Sequence, residues 1–220
     1  MRSRTATASN EHSVHPATER LRSLWWPEQA GDPSPGVEGN EVLTSATAVV
    51  LTALLIAEGV TVIHMNGLGT VHMFIGMVLI PPVLLKVAST GYRFVLYYTR
   101  SRSYRAKGPP LLPMRVMAPM LVLTTIAVLA TGVLLLATGH KDGTLLEIHK
   151  VSFIVWLAMF GVHFLACIPR VVRSLGVDWG AARRQAVPGA GMRAMLVAAS
   201  LGGGVALALS LLSSMNAWHA

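Results

Sequence analysis

Five apolar runs, each about the length a helix needs to cross a bilayer, dominate this chain and constrain its fold more than any other feature. They cover about Val42–His64, Val71–Tyr98, Val116–Thr138, Leu145–Val172 and Met192–Met215. Hydrophobic residues make up 53% of the 220 residues and charged ones only 13%, a balance that soluble domains of this length rarely show. The second and fourth runs exceed the span of a bilayer, so those helices are expected to tilt or to project into the interface. The expected fold class is all-α and integral to the membrane: a four-helix bundle plus a fifth transmembrane helix.

The charges sit between the runs. Arg100, Arg102, Arg105, Lys107 and Arg115 lie between the second and third, and Arg170, Arg173, Arg183, Arg184 and Arg193 at or near the fourth-to-fifth connection. The N-terminal segment adds Arg2, Arg4, Arg20 and Arg22, whereas the alternate connections hold only Lys141 and Lys150. Arg93 and the arginines after it suit topology determination and contact with anionic lipid. The net charge of +8 is therefore distributed as a topology signal rather than as a nucleic-acid-binding patch. By the positive-inside rule the N-terminus and both basic loops are cytoplasmic and the C-terminus lies outside. The single cysteine, Cys167, excludes an intrachain disulfide, a cysteine-rich metal site and an iron–sulfur cluster.

Residues 1–40 are polar and aperiodic and are expected to form a disordered cytoplasmic tail with no signal peptide. Trp25, Trp26 and Pro27 suit an interfacial anchor, and His12 and His15 read as solvated. Residues 41–175 are expected to form the four-helix core, and 176–220 a cytoplasmic loop and the fifth helix. Helix five carries Gly202, Gly203 and Gly204 among small residues, a composition suited to close packing on the bundle or on a partner subunit.

The two short outer connections imply tight hairpins. In the second, Thr144 followed three residues later by Glu147 reads as a capping box, so helix four is expected to begin near Leu145. His149 then stands one turn inside it. His72 follows Gly67, Gly69 and Thr70 and stands at a similar depth in helix two. Ionisable or metal-binding side chains inside a bilayer are costly and usually functional. A matched histidine pair on separate helices is how a bundle grips a planar metal cofactor from both faces. Lys86 follows His72 by fourteen residues and His163 follows His149 by the same interval, which at 3.6 residues per turn returns to nearly the same helix face roughly 21 Å further on.

Histidines fourteen apart on one transmembrane helix resemble the arrangement by which di-haem cytochromes b stack two haems. The stretches GTVHMFIGMVLIPPVLLKVASTGYRFVLYYT, YRAKGPP and LLEIHKVSFIVW resemble the b-type haem subunits of respiratory membrane enzymes. They are also similar to an actinobacterial membrane-protein group related to those subunits, some of whose members carry a molybdopterin-binding oxidoreductase domain. The resemblance covers about residues 45–170. It implies a bacterial cell membrane, a haem b held by His72 and His149 near the outer face, and electron exchange with quinone and a redox partner subunit. The inner pair departs from the di-haem pattern, because lysine must lose a proton before it can ligate. A second haem, with His163 as a ligand, stays open beside a structural role for His163.

The remaining polar residues carry alternatives. Gly76, one turn below His72, either leaves room for a porphyrin edge or packs helices. Lys86 either snorkels toward the cytoplasmic headgroups or meets a haem propionate. Glu58 stands roughly 9 Å below the outer end of helix one, as a proton acceptor, a partner orienting a ligating histidine, or a carboxyl bonded to a neighbouring helix. At the depths expected, Glu58 and Lys86 are too far apart to pair. His64 and His140 are expected at the surface, though either replaces a ligand if the helix starts shift by a turn. Phe153, Trp156 and Phe160 suit either a haem-flanking face or ordinary packing, and Pro81 and Pro82 are expected to kink helix two. The chain holds no nucleotide-binding glycine loop, so it is expected to act as an electron-transfer subunit without an active site of its own. The alternative is a haem-free scaffold or small transporter built around Glu58, Lys86 and His163.

Overall fold

A computed structural model of the protein describes residues 35–99, 112–139, 143–178 and 187–218. His12, His15, Trp25, Trp26, Arg100, Arg102, Arg105 and His140 lie outside these residues. The described residues form six helices and no strand: α1 (Pro35–Ile63), α2 (Met65–Tyr98), α3 (Leu112–Thr138), α4 (Thr144–Asp178), α5 (Ala190–Ser210) and the short α6 (Leu212–Ala217). Five of them, α1 to α5, are long and apolar enough to cross a membrane, and the fold fits a multi-pass membrane protein.

The helix bounds follow local chemistry, with three departures from expectation. First, α1 starts at Pro35, well before Val42, so the polar tail ends short of residue 40. Proline suits a first helical turn, where its missing N–H costs nothing, and Glu38 adds a favourable negative charge there. Two polar residues of this extension are tied to α2. The Asn40 side-chain amide donates to the Ser89 carbonyl at 3.0 Å, and the Thr44 hydroxyl lies 3.0 Å from that of Ser89. Hydropathy stops where the apolar run stops, whereas these bonds continue the helix.

Second, dihedrals stay helical through Pro81 and Pro82. The one non-helical residue inside α2 is Leu68, with φ −118° and ψ 17°. The expected kink therefore falls in the opening turn, and Pro82 is fully buried. Third, the fifth apolar run is broken at Leu211, with φ −104° and ψ 5°, and continues as α6. Neither glycine nor proline causes this break. Beyond it Met215 is fully buried and the Trp218 indole N–H donates to the Leu135 carbonyl of α3 at 3.2 Å, so tertiary contacts fold the last turn onto the bundle.

Both hairpins are tight. His64 alone separates α1 from α2, and its Nδ1 lies 3.1 Å from the Val60 carbonyl at the end of α1. Gly139 and Gly143 flank the α3–α4 turn with φ of +66° and +88°, backbone that side chains disfavour. The Glu147 carboxylate is held by Lys150 at 2.9 Å rather than folding back onto the helix start, which lies at Thr144.

The packed pairs are α1 with α2, α3 with α4, and α5 with α2. Lesser seams join α1 to α4 and α2 to α3, which closes a ring in chain order. In that ring α2 and α4 lie across the diagonal without an extensive seam of their own. Buried Met77, Val78, Leu136, Ala208 and Met215 form the core where α5 and α6 meet α2 and α3. The spanning part of α4 contributes no buried residue, and Ile154, Leu157 and Leu165 are among its exposed apolar side chains, as expected of a lipid-facing helix.

Of the three consecutive glycines in α5, only Gly204 makes a close approach. A Cβ there would collide with the Val78 carbonyl oxygen and lie 3.0 Å from the Val78 Cα, while Gly202 and Gly203 face open space. Gly204→Ala is therefore expected to lower stability by about 1–3 kcal/mol through overpacking of the α2–α5 seam. Gly203→Ala is expected to be neutral or mildly stabilising, and thermal unfolding of the detergent-solubilised protein checks both.

Candidate functional site

The polar side chains of the bundle gather at two depths. At the end that carries the two tight turns, α1 and α3 each present a threonine to a histidine of the next helix. Thr61 Oγ1 of α1 lies 3.1 Å from His72 Nδ1 of α2, and Thr131 Oγ1 of α3 lies 2.9 Å from His149 Nδ1 of α4. His72 sits one turn past the irregular Leu68, and His149 one turn past Thr144, so the two hairpins repeat one device.

These contacts determine which ring nitrogen carries the proton. The Thr61 hydroxyl donates to Glu58, either to the backbone carbonyl at 2.6 Å or to carboxyl Oε2 at 3.3 Å. Thr131 donates to the Ala127 carbonyl at 2.7 Å, with that of Val128 at 3.0 Å. A hydroxyl has one proton to give, so toward each imidazole it can only accept. With its proton given to its own helix, each hydroxyl favours the Nδ1–H tautomer of its ring. On His72 that N–H also faces Glu58 Oε1 at 3.0 Å, and on His149 the Val128 carbonyl lies close to the ring. No hydrogen bond among the described residues engages Nε2 of either ring. Its lone pair is left for a ligand.

Both rings belong to the interior rather than to lipid. The side chains of His72 and Glu58 are 21% and 14% exposed, and His149 is half-buried. His149 lies near enough to act electrostatically on His72, although their helices stand across the diagonal of the ring. Gly132 of α3 abuts His149, and a Cβ there would come 3.3 Å from Cε1 of the imidazole. Gly76 turns its open face to Glu58 Oε1, 3.5 Å from where a Cβ would lie, so it packs against α1.

Fourteen residues along α1 from Glu58, toward its N-terminus, Lys86 donates to the Thr44 carbonyl at 2.7 Å. Thr44 itself donates to the Asn40 carbonyl at 2.7 Å, and Ser89 to the Lys86 carbonyl at 3.0 Å. Thr44 and Glu58 differ in depth by roughly 21 Å, so the carboxyl and the ammonium occupy opposite halves of α1. His163, half-buried in α4, has its Nε2 3.5 Å from Cys167 Sγ. Between His149 and His163 runs a ladder of stacked rings. Phe153 and Trp156 have centroids 6.1 Å apart, Trp156 and Phe160 4.9 Å, and Phe160 and Phe164 5.6 Å. The Trp156 indole N–H donates to Thr125 Oγ1 of α3 at 2.9 Å. His64 is exposed.

Among the described residues no three His, Cys, Asp or Glu side chains gather as a chelating group for a bare metal ion. Two imidazoles on separate helices, each pinned through Nδ1, could instead offer Nε2 to a planar metal cofactor. Thr61, Thr131 and Gly132 escape a reading by residue type, since threonine and glycine are common in apolar helices. Depth is a sequence signal only for Thr131 and Gly132, which counted from their turn fall near the level of His149, whereas Thr61, two residues from the end of α1, does not count level with His72.

Comparison with protein-family models, with curated proteins and with solved structures finds no match.

Removing the Lys86 ammonium leaves the Thr44 carbonyl without its charged donor. Lys86→Met is expected to lower stability by about 1–3 kcal/mol, read by thermal unfolding, and to leave the histidine pair undisturbed.

Proposed function

We propose that the chain is a b-type membrane cytochrome that passes electrons between the quinone pool and a redox partner subunit. The observation that carries this reading is the pair of Nδ1-pinned imidazoles at matched depth on the two diagonal helices. In it, His72 and His149 hold haem b through Nε2. Bound there, haem supplies a reversible one-electron couple, and the protein supplies ligation, orientation and low dielectric. Thr61 and Thr131 keep the ligating lone pairs directed inward, and the apolar helix faces exclude water. His163 and the ring ladder of α4 offer a route toward the opposite half of the bundle, where a second cofactor stays open.

By the positive-inside rule the charge pattern supports a cytoplasmic N-terminus and a histidine pair toward the outside, and the family resemblance supports a bacterial cell membrane. Electrons would then be exchanged at the outer half with a partner oxidoreductase, since this chain holds no nucleotide-binding loop. A second reading, a haem-free scaffold or small transporter, draws support from the Glu58–His72 contact, because a carboxyl beside an imidazole inside a bilayer also suits proton movement.

Colour separates the two. Purified protein is expected to give a reduced-minus-oxidised b-type spectrum, with haem counted per polypeptide. His72→Ala or His149→Ala is expected to abolish the low-spin signal, and His163→Ala to retain at least one haem. A stable, colourless protein would sink the cytochrome reading, and full haem retention in the His72→Ala/His149→Ala double variant would sink the ligand assignment.

A further inference from the structure

The two imidazoles are not held alike. His149 Nδ1 meets a hydroxyl at 2.9 Å, with the Val128 carbonyl close to the ring. His72 Nδ1 meets a hydroxyl at 3.1 Å and a carboxyl oxygen at 3.0 Å. The carboxyl is committed to this unit. Its Oε1 faces the ring, its Oε2 lies 3.3 Å from the Thr61 hydroxyl, and no lysine or arginine among the described residues pairs with it. Thr61 follows Glu58 by nearly one helical turn, so both acceptors come from the same stretch of α1 and converge on one N–H. Gly76 places only backbone beside Oε1, which lets the carboxyl lie along α2 at the level of the ring.

A carboxyl inside an apolar helix is expensive, and neutral acceptors suffice to hold His149. Holding the ring therefore does not require Glu58, and a further effect is needed to account for it. A strong acceptor on Nδ1–H pushes electron density through the imidazole and makes Nε2 the better donor. A better axial donor favours the oxidised metal and lowers the potential.

We infer that Glu58 is a positioning residue that makes His72 the stronger donor of the two ligands and so sets the redox potential of the site, an inference that rests on the cytochrome reading. The two axial ligands are then inequivalent, with the electron-rich side facing the α1–α2 hairpin.

Redox titration of the purified protein in lipid nanodiscs at one fixed alkaline pH, where the Glu58 carboxyl is ionised and so a stronger acceptor than an amide, with haem content measured alongside, tests this. Wild type is expected to have the lowest midpoint potential, Glu58→Gln a higher one because an amide oxygen is a weaker acceptor, and Glu58→Leu the highest. Thr131→Val, which alters only the His149 side, is expected to shift the potential less than Glu58→Leu, and the ferric low-spin electron paramagnetic resonance signal is expected to move with Glu58. A Glu58→Leu protein with full haem and an unchanged potential would overturn the inference, as would a shift no larger than that of Thr131→Val. Should Glu58→Leu lose its haem, Glu58→Gln decides: an upward shift supports the role and an unchanged potential defeats it. A colourless wild type would instead defeat the cytochrome reading and this inference together, whereas an invariant potential in coloured protein defeats the inference alone.

Discussion

A polar group inside hydrocarbon must find its partner within the protein, and the arrangement of this bundle follows from that constraint. Water would satisfy an exposed imidazole, but a ring one turn inside an apolar helix has only neighbouring helices to turn to. Thr61 and Thr131 answer that need, each with its own proton already given to its helix. The consequence is directional. An acceptor fixed on one nitrogen determines the tautomer, and the tautomer determines which nitrogen is available to a ligand. One hydroxyl–imidazole hydrogen bond thereby stitches each hairpin and sets the chemistry of its histidine.

The same constraint explains the opposite half of the molecule. Lys86 reaches the Thr44 carbonyl, and Asn40, Thr44 and Ser89 satisfy one another across the α1–α2 seam. These bonds extend α1 beyond its apolar run and hold the hairpin at the end away from its turn. Gly204 plays the complementary part without polarity, letting α5 approach the backbone of α2 at Val78. The α1–α2 hairpin is thus fastened at both ends and along its back, whereas α4 stays exposed to lipid on its spanning length. The ring of helices sets one well-fastened pair against a more open one, with His72 and His149 across the diagonal.

Much of the fold was legible from the amino acids, because hydrocarbon is an undemanding reader of sequence. Apolar runs of spanning length marked five helices, and the third run ends with its helix at Thr138, although that helix begins earlier, at Leu112. The short connections after the first and third runs marked two tight turns. Legibility failed where a polar or tertiary contact overrode hydropathy, as at Asn40 in the extended start of α1 and at Met215 and Trp218 beyond the break in α5. A helix can carry Pro81 and Pro82 with helical dihedrals, and the departure falls at Leu68, beside the sharp turn after His64.

Sequence by itself determined that this chain is a bundle of apolar helices, that histidines stand one turn inside two of them, and that Glu58 and Lys86 lie too far apart to pair. Period and length suffice for such statements, since they depend only on distance along a helix. Only the tertiary structure decided that Thr61 and Thr131 are the histidines' partners, that Glu58 joins His72 alone, and that Gly76 faces a carboxyl. Those choices depend on the rotation of each helix about its axis, which side-chain packing sets and one-dimensional periodicity leaves free.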